Sequence, residues 1–141
     1  MVDVTVSQML AASPEQVASV MFDPMRDAEW IGGARSAEWV GEGRAIALGA
    51  KVRRTGGFLG RSFSWTTEIE AYEPARRLVM RYLDGPFRGT VTFEIEPASG
   101  GARASIRNAA KASFELPGMG LMMKASVGKD LQRLKGLVEP G

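Results

Sequence analysis

The last part of the chain carries the feature that most restricts its fold, an amphipathic segment from Gly118 to Val138. An α-helix brings residues three and four positions apart onto one side, so such spacing predicts one long helix with a single apolar face. Most of the preceding chain has the pattern of β-strands, so we expect the helix to pack against a sheet. The apolar or small residues with this spacing are Gly120, Met123, Val127, Leu131, Leu134 and Val138.

One strand and two short helices are predicted at the start of the chain. Residues 2–7 alternate between valine and polar side chains, which is typical of a half-buried strand. Ser13-Pro14-Glu15-Gln16 then combines an N-cap serine, a proline at the first helical position and a glutamine that completes a capping box. Asp23-Pro24 repeats the cap and the proline, and the second helix is predicted to end near Trp30.

Further strands are predicted from residue 36 to residue 114. The first two span residues 36–40 and 46–55, and the last four fit one antiparallel register if each hairpin loop has about four residues. The outer face of that register alternates in charge, which favours it. One outer row contains Glu70, Arg77, Glu94 and Ser105. The matching inner row contains Ile69, Leu78, Phe93 and Ile106.

Farther along the inner face, the predicted rows change from apolar to polar and small residues. The next two rows are Thr67, Met80, Val91 and Asn108, followed by Trp65, Tyr82, Gly89 and Ala110. A buried amide without hydrogen bonds costs about 1–3 kcal/mol, so Asn108 is not expected inside a solid apolar core. We therefore predict a cavity between the sheet and the final helix. In the alternative interpretation, Asn108 pairs with Thr67, and Trp65 and Tyr82 fill the space.

Composition excludes several classes of function. The chain has no cysteine and no histidine, which excludes disulfides, thiolate chemistry and Ser-His-Asp triads. The 18 Lys and Arg nearly balance the 16 Asp and Glu, so the net charge of +2 is not typical of a nucleic-acid-binding protein. The start lacks the regions of a signal peptide, and no apolar run reaches transmembrane length. We expect a single cytoplasmic domain over residues 1–141, monomeric or homodimeric, without cofactor or metal.

A series of motifs along the whole chain is similar to those of a known superfamily. In order they are Ser13-Pro14-Glu15-Gln16-Val17, Asp23, Trp30, Trp65-Thr66-Thr67-Glu68-Ile69, Glu73-Pro74, Arg77-Leu78, and Leu131, Leu134 and Lys135 in the last helix. The chain thereby resembles the START-like helix-grip (SRPBCC) superfamily, and within it the polyketide cyclase/dehydrase and lipid-transport family. The resemblance implies an α+β fold in which a seven-stranded antiparallel sheet wraps around a long C-terminal helix, with two short helices after the first strand.

Three functions are compatible with that resemblance. The leading expectation is binding or transport of a small hydrophobic ligand, such as a lipid, a polyketide or an aromatic compound, between sheet and helix. The second is a polyketide cyclase or dehydratase, in which Arg54, Tyr82 or Asn108 stabilises an enolate-like oxyanion. The absence of histidine and of an inward carboxylate counts against an enzyme. The third is a protein-interaction module like the chaperone activators of the same superfamily.

The candidate ligand-binding residues come from the predicted inner face. Alternation along the third strand points Arg54 inward, where its guanidinium would hold an oxyanion; in the alternative, Arg54 is solvated beside Arg53. Asp130 lies at the edge of the apolar face of the final helix, and no carboxylate falls clearly on the inner sheet face, so no catalytic residue is assigned. Phe58 and Leu59, between glycines at a hairpin tip, form a candidate lid. The full predicted set is Trp30, Arg54, Phe63, Trp65, Thr67, Met80, Tyr82, Val91, Asn108, Ala110, Gly120, Met123 and Val127.

Overall fold

The computed structural model describes residues 2–58, 60–113 and 116–139, and within them seven antiparallel strands form one sheet. The sheet order is β1-β7-β6-β5-β4-β3-β2, so consecutive strands are neighbours except where β1 joins β7. The predicted seven-stranded antiparallel sheet is therefore confirmed. The strands are β1 (Val2–Leu10), β2 (Ala34–Val40), β3 (Lys51–Phe58), β4 (Arg61–Glu73), β5 (Arg77–Tyr82), β6 (Phe87–Ala98) and β7 (Gly101–Ala112).

The helices lie where the sequence predicts them, except that the second short helix is a 3-10 turn followed by a single α-helical turn. In the described part of the chain they are α1 (Pro14–Met21), a 3-10 turn (Pro24–Arg26), α2 (Asp27–Trp30) and α3 (Met119–Val138). The long helix α3 packs against β1, α1 and α2, and its buried side chains join those of the inner sheet face in one hydrophobic core. This arrangement confirms the predicted α+β helix-grip fold.

Local hydrogen bonds explain where the short helices begin. The Gln16 amide donates to Ser13 Oγ at 3.2 Å, and the Ser13 amide donates to Gln16 Oε1 at 2.9 Å, which is the predicted capping box. Asp23 Oδ1 accepts the amide of Met25 at 3.0 Å and caps the 3-10 turn. Two helical starts are thus fixed by residues that lie next to them in sequence.

The register of β5, β6 and β7 is the predicted one, but that of β4 is not. Leu78 pairs with Phe93, and Phe93 pairs with Ile106. Ile69, predicted to face Leu78, instead faces Met80. The hairpin between β4 and β5 is tighter than assumed, and an irregularity between Ile69 and Ala71 adds one residue to β4. The two effects together shift the inner face of β4 by two positions relative to β5.

The same shift changes one predicted pairing of charges on the outer face. Glu70 lies 2.9 Å from Arg81 Nε rather than opposite Arg77. The second predicted pair, between Glu96 and Arg103, is present at 2.8 Å. Both pairs are exposed, so they contribute little to stability.

The strand β3 begins five residues later than predicted, at Lys51 instead of Ile46. Gly49 has a φ of +82°, which interrupts an extended chain, and Leu48 is 70% exposed rather than inward. From Val52 onward the alternation holds, because Val52 and Arg54 are both buried. Arg54 therefore points inward, as continued alternation predicts, and the alternative in which it is solvated beside Arg53 is wrong.

The buried face of α3 differs from the predicted apolar face at its first residue. Met119 is buried, whereas Gly120 is only half-buried, and a Cβ added at Gly120 would meet no atom within 4 Å. Counting back four residues from Met123 gives Met119, while counting back three gives Gly120. Both spacings keep residues on one helix face, so the sequence pattern did not distinguish them.

Candidate ligand-binding cavity

A partly enclosed chamber lies between the inner sheet face and the helices α2 and α3. Its volume is about 120 Å³, which is close to the roughly 150 Å³ apolar cavity that accommodates one benzene ring. Every inner-face strand from β3 to β7 contributes to its wall, and we call it the inner chamber. It is lined by Asp27, Trp30, Ile31, Ala34, Arg54, Trp65, Thr67, Met80, Tyr82, Val91, Phe93, Ile106, Asn108, Val127 and Asp130.

A second space of about 130 Å³, the outer chamber, adjoins the first. The two chambers share six lining residues, Ile31, Trp65, Tyr82, Asn108, Val127 and Asp130. Aromatic rings form much of the outer wall: Phe63 lies 5.6 Å from Trp65, and Phe87 lies 5.5 Å from Tyr82, measured between ring centroids. The wall of the outer chamber is therefore mainly apolar.

A buried ion pair forms one side of the inner chamber. Arg54 Nε donates to Asp27 Oδ2 at 2.6 Å, and the two side chains are only 7% and 3% exposed. Arg54 Nη1 donates to Thr67 Oγ1 at 2.5 Å, and Nη2 lies 3.5 Å from the sulfur of Met80. Burial raises the pKa of the Asp27 carboxyl, and the adjacent guanidinium opposes that rise. The charge of Arg54 is thus compensated inside the protein.

Asp130 brings a second carboxyl group to both chambers. Its Oδ1 accepts the amide of Gly32 at 2.9 Å and Nη1 of Arg133 at 2.8 Å. These bonds join α3 to the segment between α2 and β2. Burial raises the pKa of Asp130, while the bond from Gly32 and the charge of Arg133 oppose the rise. Asp130 lies on the same helical face as Val127, one position before the buried Leu131.

Tyr82 and Asn108 meet where the two chambers adjoin. Asn108 Nδ2 lies 3.5 Å from the Tyr82 hydroxyl, the outer limit for a hydrogen bond. Burial raises the pKa of Tyr82. The alternative in which Asn108 pairs with Thr67 is not what the structure shows, because Thr67 is the partner of Arg54. The register shift of β4 places Thr67 opposite Tyr82 and moves it away from its predicted position.

Two buried polar atoms, both on residues that line the inner chamber, have no hydrogen-bond partner among the described residues. They are Nε1 of Trp30, a donor, and Oδ1 of Asn108, an acceptor. Trp30 is fully buried, and its ring lies 5.6 Å from that of Phe93. An unpartnered buried polar group costs about 1–3 kcal/mol, and each such group in a folded protein calls for an explanation.

The structure brings most of the predicted site residues together. Ala110 and Gly120 line neither chamber. Ala110 pairs with Gly89, where the strands approach so closely that a Cβ on Gly89 would lie 2.2 Å from a backbone oxygen; small residues there reflect close packing rather than empty volume. Phe63 and Met123 line the outer chamber only. The inner chamber includes Trp30, Arg54, Trp65, Thr67, Met80, Tyr82, Val91, Asn108 and Val127.

The candidate lid stays a prediction. Leu59 lies outside the described residues, and Phe58 is described only as the last residue of β3.

The sequence analysis did not identify Asp27 as a residue of the site. The available signal was its position three residues before Trp30, which puts both side chains on one face of a short helix. An inward Arg54 also requires a buried partner, and that requirement points to a nearby carboxylate.

Comparison with solved structures supports the fold. Protein CV1439 from Chromobacterium violaceum has a TM-score of 0.75 and 20% identity, covering 99% of this chain and 98% of that chain. TTHA0849 from Thermus thermophilus has a TM-score of 0.80 and 19% identity, with 96% of each chain covered. XoxI from Bacillus cereus has a TM-score of 0.77 and 12% identity, covering 98% and 96%. At these identities the similarity shows the shared fold alone.

A match to a sequence-family model shows how this chain is related to known proteins. The model described as polyketide cyclase / dehydrase and lipid transport matches residues 1–139. The chain belongs to this polyketide cyclase/dehydrase and lipid-transport family. No match was found among curated proteins. None of the described helices of this family member combines the length and apolar character needed to cross a membrane.

Proposed function

We propose that the protein binds a small, mostly apolar, ring-containing ligand in the two adjoining chambers. The observation that carries this proposal is the pair of unpartnered buried atoms, Trp30 Nε1 and Asn108 Oδ1, in a mainly apolar wall. Ligand sites typically combine apolar walls with a few placed polar groups. A bound ligand with suitable hydrogen-bonding groups removes the cost of leaving those atoms unpartnered. The family description, which includes lipid transport, agrees with a carrier role.

The volume of the chambers limits the size of the ligand. The inner chamber holds about 120 Å³ and the outer about 130 Å³, whereas sites for drug-sized molecules measure about 300–1,000 Å³. One ring in each chamber matches the space. The proposed ligand is therefore a compound of one or two rings, or a short chain of similar volume.

A cavity-filling substitution tests this proposal. Val127 lines both chambers, so Val127→Phe is expected to abolish ligand binding. Leu121→Phe, at a position 77% exposed on the same helix, is the matched control and is expected to bind normally. Native mass spectrometry of freshly purified protein and calorimetry with 2-naphthol provide the readouts. Equal binding by both variants, or no binding of any one- or two-ring compound by the natural protein, overturns the proposal.

A catalytic role is the second candidate, and the positions of two carboxyl groups favour it. Asp27 and Asp130 both line the inner chamber, so the objection that no carboxylate lies inside does not hold. A carboxyl group with a raised pKa is suited to proton transfer, and Asp130 is the one that lines both chambers. An enzyme would form product from a poly-β-keto mimic and lose that activity in Asp130→Asn. A carrier would bind the mimic and release it unchanged.

A further inference from the structure

We propose that the inner chamber selects uncharged ligands whose polar edge offers both a hydrogen-bond acceptor and a donor, such as phenols and hydroxy ketones, and excludes carboxylates. The inference rests on the proposed binding function and specifies its ligand class. It reverses the simplest expectation for an inward arginine, which is that Arg54 holds an anionic group.

The distribution of charge is the first argument. Among the described residues that line the two chambers, the charged side chains are Asp27, Arg54 and Asp130. Arg54 is already paired with Asp27 at 2.6 Å. Asp130 is paired with Arg133, whose own side chain is 49% exposed. A carboxylate ligand would lose its hydration without gaining an uncompensated cation, and desolvating an ion costs several kcal/mol.

Hydrogen-bonding polarity is the second and independent argument. Trp30 Nε1 can only donate, so it requires an acceptor on the ligand. Asn108 Oδ1 can only accept, so it requires a donor. A carboxylate has acceptors alone and would place negative oxygen beside Asn108 Oδ1. A phenol or hydroxy ketone offers both functions, which are the two that these atoms lack.

Two probes with the same ring system separate the possibilities. 2-Naphthol is uncharged near neutral pH and has a hydroxyl that donates and accepts, whereas 2-naphthoate is an anion. Isothermal titration calorimetry of the full chain is expected to show 2-naphthol binding about tenfold or more tighter than 2-naphthoate, because only the anion incurs the cost of ion desolvation. Equal or tighter binding of 2-naphthoate overturns the inference and leaves the proposed binding function standing. Binding of neither probe overturns the inference, and the native mass spectrometry of freshly purified protein then decides the proposed binding function.

Removing one negative charge from the chamber is expected to change this selectivity. Asp27→Asn keeps an oxygen that accepts from Arg54 Nε but leaves the guanidinium uncompensated. The affinity for 2-naphthoate relative to 2-naphthol is expected to rise about tenfold, the equivalent of roughly 1.4 kcal/mol. Glu29→Gln is the matched control, since Glu29 is on the same helix but pairs with Arg26 outside the chamber. No gain for 2-naphthoate in Asp27→Asn contradicts the role of the compensated charge.

A second variant keeps the test decisive if Asp27→Asn fails to fold. Both donors to Asp130 bond the same oxygen, Oδ1, so Asp130→Asn retains them while removing a charge from both chambers. This variant is also expected to bind 2-naphthoate more tightly than the natural protein does. Circular dichroism establishes that each variant is folded before titration. Unchanged selectivity in folded Asp130→Asn counts against the inference.

Discussion

Breaking the buried pair of Asp27 and Arg54 is predicted to destabilise the protein in a way that depends on which partner is removed. The pair is 2.6 Å apart with both side chains more than nine-tenths buried, and removing one partner of such a pair costs about 3–5 kcal/mol. Asp27→Asn keeps one acceptor for Arg54 Nε, so the expected loss lies at the lower end, about 3 kcal/mol. Asp27→Asn also removes the titratable carboxyl group, so the variant's own free energy of unfolding should gain no pH dependence from this site.

Arg54→Met is predicted to behave differently, because the remaining Asp27 can take up a proton. Burial already raises the pKa of Asp27, and removing the guanidinium removes a main opposing influence. The folded variant then binds a proton more readily than the unfolded chain, so its stability falls as pH rises from about 4, the ordinary aspartate value, to the raised value. The slope in that window reaches about 1.4 kcal/mol per pH unit.

Urea denaturation at about pH 5 and pH 7, followed by circular dichroism, measures both effects. The double variant should lose less than the sum of the single variants, because it leaves no uncompensated charge. Asp3→Asn, at the exposed pair with Arg107, is the control and should leave the midpoint unchanged. Equal free energies of unfolding for the two single variants at both pH values would refute the asymmetry. A loss below about 1 kcal/mol in both would refute the buried pair itself.

Three further variants test other parts of the structure. Burial raises the pKa of Tyr82, so stability should fall above about pH 10 as the unfolded chain ionises first; in Tyr82→Phe, urea midpoints should fall less over that range. Asn108→Leu removes an unpartnered buried oxygen and should raise the free energy of unfolding by about 1 kcal/mol, measured as a higher thermal midpoint. The same variant should bind 2-naphthol more weakly. Gly120→Ala adds a methyl group in open space on α3 and should stabilise the protein by about 0.5–1 kcal/mol in urea denaturation without changing ligand affinity. A loss of affinity in Gly120→Ala would contradict its placement outside the chambers.

Much of the fold could be predicted from patterns that are local in sequence. The capping residues Ser13 and Asp23 bond to amides only two or three positions away, so their sequence context is sufficient. The register of β5, β6 and β7 could be predicted because apolar and charged residues alternate consistently on the two faces of these strands. The register of β4 could not be predicted in this way, because the irregularity near Ile69 adds one residue and leaves the alternation of the flanking segments intact.

The chemistry of the site was harder to predict than its position. Alternation placed Arg54 inside, but its partner Asp27 is 27 positions away in a four-residue helix too short to show periodicity. The sequence placed Asp130 only at the edge of the apolar face of α3, because residue spacing does not show how much of the helix surface the sheet covers. From the sequence, Arg54 was either an inward anion-binding group or a solvated one, whereas the structure shows an inward arginine whose charge is compensated by Asp27.

Ligand contact at the Trp30 indole is the central claim, and one NMR measurement tests it most directly. The chain has three tryptophans, so a nitrogen-15 correlation spectrum has three indole N–H signals, assigned with single Trp→Phe variants. Trp30 and Trp65 line the inner chamber, whereas Trp39 lines a separate groove near Phe22 and Tyr72. Titration with 2-naphthol should shift the Trp30 signal as Nε1 gains an acceptor, and leave the Trp39 signal in place. An unchanged Trp30 signal at saturating ligand would contradict the account.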